Sequence, residues 1–472
     1  MMLTIDNALT PAALEKKLNT MFEVAAQKIV SIENSWDPSR GTPVYTVKGQ
    51  YTSRGWTEWT QGFQFGCALL LYDATGEKRF LDSGRDNTVK HMAPHISHVG
   101  VHDHGFNNVS TYGNLLRLMH EGRIPENGRE KEFYELAIKL TGAIQAARWT
   151  KMPGGLGFIY SFNGPHSLFA DTIRTVRALT LSHQLGHVLM GEQDEKINLL
   201  RRGLQHSETS ARYNVFFGEN RDSYDIRGRV AHETIFNVHN GTYRCPNTQQ
   251  GYSPYTTWTR GLAWIFSGFA ELLEYIDTLE ESEFKTLVPE LYADKQAAIK
   301  RFIAVIEVVA DFYLEHSTTD GIVYWDTGAP GLANMGDYMA RSADPYNDFE
   351  PVDSSSAAIC AQGFLRIGRY LKAHGEMPKG ERYFQAGLTI AATLLDEPYL
   401  SGDPIHQGLL LHSVYHRPNG WDYVPPGQKV PCGESCMWGD YHLMELGVYL
   451  QRLVHNGIYH KYFIGEQEPV SV

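Results

Sequence analysis

Two aspartates stand out by their surroundings. Asp103 sits between two histidines in Val-His-Asp-His-Gly-Phe-Asn-Asn (101–108), and Asp171 closes Asn-Gly-Pro-His-Ser-Leu-Phe-Ala-Asp (163–171). Each stands at the start of a segment with helical periodicity, so each could be only an N-cap, its side chain accepting from the free N–H groups of a first turn. As a pair they allow more: two carboxylates at helix starts can face one another across a cleft and divide acid and base work on a sugar. A helix N-terminus favours the ionised carboxylate, whereas a general acid needs its pKa raised by burial or by a second carboxylate. Phe158, Tyr160, Phe162 and Phe169 are the rings that could wall Asp171.

Sugars are held by aromatic stacking and directed hydrogen bonds, and the loops are rich in Trp56, Trp59, Tyr252, Tyr255, Trp258, Trp325, Trp421 and Trp438. His232, Arg260 and Trp264 form the expected substrate group. Arg260 and Trp264 are four residues apart and share a helical face; a guanidinium there suits a carboxylate, which it can grip bidentately. His91, His95, His98, His102 and His104 form the densest histidine run. Pro94 interrupts it and no HExxH or Cys pattern completes a metal site, so imidazoles bonded within a polar pocket are expected, with no metal and no cofactor.

The elements that must position these residues are helical. Trp258, Leu262, Ile265, Phe269, Leu272 and Ile276 recur at alternating steps of four and three, one face of a helix. About a dozen such segments are predicted, near 11–31, 60–74, 78–93, 107–121, 129–148, 168–189, 192–208, 258–277, 289–316, 355–373, 379–397 and 437–454, with a short strand-like piece at Gly321–Trp325. Paired helices with connections alternately short and long suit an all-α fold, an (α/α)6 barrel of six hairpins with the long loops at one mouth. The long segments 32–59, 148–167, 209–257, 317–354 and 398–436 hold many of the Gly, Pro, Trp, His and Tyr residues, as functional loops do. A stacked solenoid would need a sequence repeat, and there is none.

At 472 residues the chain is long enough for about three domains of ~150 residues. Nothing in it resembles a linker, so one catalytic domain over 1–472 is expected. With 54 acidic against 42 basic residues the net charge is −12, which disfavours nucleic acid and anionic membranes but not a small anion in a cleft made locally positive by Arg260 and His232. Cys67, Cys245, Cys360, Cys432 and Cys436 are odd in number and form no CxxC, as in a reduced compartment. No leader or membrane-length apolar run is visible, so a cytoplasmic location is expected, or a periplasmic one if a leader has been trimmed. Oligomeric state stays open, homo-oligomer included.

The motifs resemble, in order, those of the unsaturated glucuronyl hydrolases of glycoside hydrolase family 88, relatives of the unsaturated rhamnogalacturonyl hydrolases. Trp-Thr-Gln-Gly-Phe (59–63) is similar to the family's WTxGF, His-Asp-His-Gly-Phe (102–106) to HDxGF, and Ala-Asp-Thr (170–172) to the segment of its second aspartate. His232, Gln250-Gly251-Tyr252, Thr259-Arg260-Gly261-Leu262-Ala263-Trp264, Asp353-Ser354-Ser355-Ser356-Ala357-Ala358 and Trp438-Gly439-Asp440-Tyr441 resemble its later motifs. The resemblance covers about 50–455. It implies a metal-free (α/α)6 barrel that removes a 4,5-unsaturated uronic acid from the nonreducing end of lyase-generated oligosaccharides. It also implies roles: Asp171 protonates C4, Asp103 binds sugar hydroxyls and keeps that acid's pKa high, and His102, Phe162, His232, Gln250, Arg260, Trp264 and Trp59 hold the sugar. Phe162 stands where the family usually has Trp, Leu262 replaces a Gln, and the loops at 209–257 and 317–354 are longer, which points to a shifted specificity. The alternatives are another (α/α)6 carbohydrate enzyme, an inverting glycosidase or a polysaccharide lyase, and a noncatalytic sugar-binding protein.

Overall fold

The computed structural model describes residues 3–55 and 58–467; Trp56 lies outside them. The chain is mostly helical. Its α-helices are α1 (Glu15–Ser35), α2 (Gln61–Thr75), α3 (Lys78–His91), α4 (Ala93–Ile96), α5 (His104–Asn108), α6 (Asn114–His120), α7 (Gly128–Ala147) and α8 (Thr172–Thr175). They continue as α9 (Arg177–Gln184), α10 (Leu199–Tyr213), α11 (Thr259–Asp277), α12 (Glu281–Leu287), α13 (Lys295–His316), α14 (Ser354–Ala373), α15 (Met377–Leu394) and α16 (Met437–Val454). A π-turn over Val109–Gly113 joins α5 to α6.

Two kinds of helix follow from two kinds of pattern. Nearly every residue of α11 is buried, the signature of a helix packed on all sides. In α13 burial is incomplete: Ile299, Phe302, Val305, Ile306, Val309 and Phe312 face inward while Lys300, Ala304 and Glu315 are exposed, so that helix lies outside. The same division separates inner α14 from outer α15. Starts are marked by side-chain caps from Asn127, Asn198, Asp294 and Asp353. Gly76, left-handed at φ 72°, ends α2 and turns the chain directly into α3.

Contacts run from α2 to α5, α5 to α8, α8 to α11, α11 to α14, α14 to α16, and from α16 back to α2. Against these pack α3, α7, α10, α13, α15 and α1. Each long segment precedes an inner helix, while inner-to-outer connections such as 76–77 and 374–376 are short.

Three local expectations need correction. Residues 168–171 are not helical, because Ser167–Phe169 pairs antiparallel with Glu233–Phe236, which pairs in turn with Tyr243–Asn247. Helix α10 begins later than 192, because Lys196–Asn198 forms a hairpin with Val188–Met190. Gly321–Trp325 is no strand; it makes only an isolated bridge, Tyr324 to Val352. The five cysteines are unpaired, and no described helix is long and apolar enough to cross a membrane.

Candidate active site

The first turns of the inner helices meet at one end of the molecule, and two motif glycines let them approach. A Cβ on Gly62 would land on the backbone of Asn107, and one on Gly105 on the backbone of Thr175. The first contact joins α2 to α5; the second presses α5 against α8. Because Asp103 and Asp171 are the residues immediately before the starts of α5 and α8, this second approach brings the two carboxylates to one place.

Both aspartates occupy N-cap positions, yet neither side chain caps its helix. They face His102 instead, whose Nε2 lies 3.6 Å from Asp103 Oδ1 and 3.4 Å from Asp171 Oδ2. All three residues are buried. Among the described residues, Asp171 Oδ1 and His102 Nδ1 have no hydrogen-bond partner. Unpaired buried polar atoms are costly, and here one belongs to a carboxylate and the other to the imidazole it faces.

The charges do not distribute as the resemblance implies. Burial raises Asp103, opposed by His102 and assisted by Asp171. Burial also acts to raise Asp171, but the closer His102, by charge and hydrogen bond, and His232 hold it below the usual carboxylate range. Burial opposes ionisation of His102, and the two carboxylates override it and raise its pKa. In the free protein the expected acid is therefore the more acidic carboxylate, because the imidazole leans toward it.

The small sheet brings His232 to the same place. Ala170 N–H donates to His232 O (2.8 Å), so the strand leading into Asp171 lies beside the start of the strand after His232. His232 Nδ1 accepts from the backbone N–H of Gln249 (3.0 Å) and Gln250 (3.3 Å), which leaves the proton on Nε2, an atom without a partner among the described residues. Burial lowers its pKa to about 3, so it is a neutral donor.

Aromatic walls surround this centre. Phe162, 42% exposed, stacks on His102 at 6.0 Å, and Phe169 meets the same imidazole edge-on at 5.5 Å. Trp59 stacks on Trp438 (5.0 Å) and lies beside Phe106, which packs on buried Trp264 (4.7 Å). Phe158 and Tyr160 are not walls of Asp171: Phe158 packs on Phe236, and Tyr160 lies under Arg148.

Arg260 differs most from its expected role. Its Nη1 donates to Asp353 Oδ2 and Val414 O (both 2.6 Å), and its Nη2 to Tyr415 O (2.8 Å) and Gln250 Oε1 (3.2 Å). The guanidinium is held between Trp258 and Trp438 at 4.6 and 4.8 Å. Four Nη hydrogens are thus committed and the charge is matched by Asp353, so Arg260 organises the wall instead of offering a bidentate grip. With His232 neutral as well, the cleft is not locally positive in the way its residue types suggest. Asp440 is also structural: it accepts from Leu409 N, Leu410 N, Ser435 Oγ and Tyr51 Oη.

The histidine run does not gather. His95 binds Gln61 and Asn107, and His104 binds Thr141 and His98 O. Among the described residues, the cluster close enough to chelate an ion is His102, Asp103 and Asp171. A cavity of about 240 Å³ between α1, α2, α3 and α16 lies apart from these groups. Sequence reasoning missed Gln249, Phe106 and the main chain at Val414 and Tyr415, whose roles come from loop geometry and leave no spacing signal.

No protein-family profile matches the chain. It is 26% identical over 400 residues to the unsaturated glucuronyl hydrolase of Bacillus sp. strain GL1, covering 84% of this chain and 87% of that one. It is 21% identical over 390 residues to the unsaturated glucuronyl hydrolase of Formosa agariphila, with coverages of 82% and 78%. The chain is similar to unsaturated glucuronyl hydrolases over more than four fifths of its length. The crystal structure of the enzyme of that name from Streptococcus agalactiae superposes with a TM-score of 0.70 at 21% identity, over 96% of this chain and 94% of the other. The likeness of fold extends over nearly the whole of both chains.

Proposed function

We propose that this glycoside hydrolase removes a 4,5-unsaturated uronic acid from the nonreducing end of an oligosaccharide left by a polysaccharide lyase. The closed order of helix contacts supports reading the frame as an (α/α)6 barrel formed by one domain. The observation that carries the functional reading is the buried trio of Asp171, His102 and Asp103 with an unpartnered carboxylate oxygen.

The C4=C5 bond of such a sugar is a vinyl ether. Asp171 donates a proton to C4, and the positive charge that develops is shared by C5 and the ring oxygen. Water adds at C5, and its proton returns to Asp171. The resulting hemiketal opens by breaking the bond from C5 to the ring oxygen, and C1 then expels the aglycone as an alcohol. Asp171 is ionised in the free protein, but an anionic sugar adds negative charge beside it and displaces water, both of which raise its pKa. The proton it takes is one shared by His102 and Asp103. Asp103 then accepts from sugar hydroxyls, and neutral His232 Nε2–H and the Gln250 amide donate to the uronate. Phe162, Trp59 and Trp264 line the sugar faces. The reaction as written needs neither metal nor cofactor.

The test follows the ultraviolet absorbance of the conjugated double bond on lyase-generated oligosaccharides. Loss of absorbance with release of the shortened sugar is expected; no loss with any unsaturated uronide would sink the reading. An inverting glycosidase would cleave saturated substrates, and a lyase would increase the absorbance.

A further inference from the structure

His232 can act as a donor only while its Nδ1 is held as an acceptor, and that depends on the turn over 248–252. Besides the two backbone N–H groups of Gln249 and Gln250, Thr248 Oγ1 lies 3.4 Å from Nδ1 and accepts from Gly251 N (2.9 Å). The other side of this turn is anchored on Asp326. Tyr252 N–H donates to Asp326 Oδ2 (2.8 Å), and Gly328 N–H to Asp326 Oδ1 (2.9 Å). The chain passes so close that a Cβ on Gly251 would lie 2.7 Å from Thr248 Oγ1 and 3.0 Å from Asp326 Oδ2. A bridge between Trp258 and Asp326 ties the anchor to the start of α11, which carries Arg260.

Asp326 is fully buried, and among the described residues no cationic side chain pairs with it. Its neighbours are the Thr256 hydroxyl and the carboxylate of Glu350, itself held by Trp325 Nε1 and Gly331 N (both 2.8 Å). Burial pushes the Asp326 carboxyl up to about 6. A buried carboxylate without a counter-ion is an expensive way to end a turn. What it supplies is a pair of charge-assisted bonds to backbone N–H groups, roughly twice as strong as those a neutral acceptor would make.

We propose that Asp326 is a positioning residue: by holding Tyr252 N–H and Gly328 N–H it fixes the 248–252 turn, and the turn fixes His232 as an Nε2–H donor facing Asp171. The proposal rests on the reading of His232 as a substrate-binding donor, but its test does not need turnover. Side-chain ¹⁵N spectra of the histidines in the full chain, with His232 assigned by its loss in His232→Gln, report the tautomer directly. The wild type should show His232 wholly as the Nε2–H form. Asp326→Ala should show a mixture of tautomers, with KM raised about tenfold and kcat within about twofold. Asp326→Asn retains one acceptor and should fall between the two. A folded Asp326→Ala protein with His232 still wholly Nε2–H overturns the proposal. If that variant does not fold, an unchanged tautomer and KM in Asp326→Asn overturn it equally. Absence of hydrolysis by the wild type would instead count against the proposed activity, leaving the tautomer measurement to judge Asp326.

Discussion

Two clusters of buried charge lie along the same inner helices, and they are built on opposite terms. Deeper along the inner helices, with the carboxylates about 12–22 Å from their helix starts at 1.5 Å rise per residue, Glu271 accepts from Arg174 and Arg177, Glu445 from Arg174, and Glu274 from Arg366. Every carboxylate there has a guanidinium. At the helix starts, Asp103 and Asp171 share one imidazole, and an oxygen of Asp171 has no partner among the described residues. The difference teaches how to tell scaffold from site when both are buried and charged. Charges matched by an opposite charge hold helices in register, and buried carboxylates such as Asp326 and Asp440 that fill their oxygens with N–H and O–H donors hold loops; Asp171 does neither with its Oδ1.

The sharpest way to break that contrast is to neutralise one carboxylate in each cluster. Asp171→Asn should lower kcat by about 10³-fold or more while leaving unfolding free energy within about 1 kcal/mol, because little of the fold leans on it. Turnover assays and urea unfolding of one preparation check both parts, and retained activity would remove Asp171 from its role. Glu271→Gln should do the reverse, costing about 3–5 kcal/mol of stability by leaving buried Arg177 without a carboxylate and Arg174 with Glu445 alone. A change below about 1 kcal/mol there would mean the deep network is not structural.

Gly105→Ala tests how the site is assembled. The new methyl would meet the Thr175 backbone, so α5 and α8 must separate, costing about 1–3 kcal/mol by overpacking and lowering activity without touching a carboxylate. A variant of normal stability and turnover would show that this approach does not set the aspartate spacing.

A smaller effect should appear in the pH dependence of stability. The folded pKa of His102 is raised above its ordinary 6.5, so its contribution is complete below that value and is lost as pH rises through the folded pKa. Asp171 has the opposite sign: its folded pKa is lowered, so its contribution is present above the ordinary 3.8 and is lost as pH falls through the folded value. His102→Gln should therefore flatten the decline in urea midpoint that the wild type shows on the alkaline side of about pH 6.5. Identical profiles would mean that the imidazole carries no charge at the mouth. The smallest change is expected from Phe162→Trp. It keeps a ring beside His102 on an exposed position, should alter stability by less than about 0.5 kcal/mol, and should shift KM between substrates more than kcat. A kcat effect larger than the KM effect would contradict its place as a wall.

Much of this was legible in the chain. The buried faces of α11 and α14 follow from apolar residues recurring at helical spacing, and the long loops could be placed at one mouth because each precedes a helix of that kind. Asp103 and Asp171 could be chosen from their positions at helix starts, although the same positions suited caps. Arg260 was harder to read, since its residue type fits a carboxylate ligand and nothing local reveals that Asp353, Val414 and Tyr415 already occupy it. Asp326 carried no signal, because its bond to Gly328 N–H two residues on is one any turn aspartate makes, and the partner that matters, Tyr252 N–H, lies 74 residues away.

Local sequence determined which segments would be helical, which of those would be surrounded, and which residue types would stand at their starts. Those properties depend on side-chain spacing within a few turns, and no tertiary contact is needed to express them. Tertiary structure alone decided that His102 lies nearer Asp171 than Asp103, that His232 keeps its proton on Nε2, and that Arg260 is spent on the wall. These are matters of a few tenths of an ångström, or of one donor, and most of the groups involved are from 17 to 155 residues apart, and charge at short range in a dry interior makes such differences decisive.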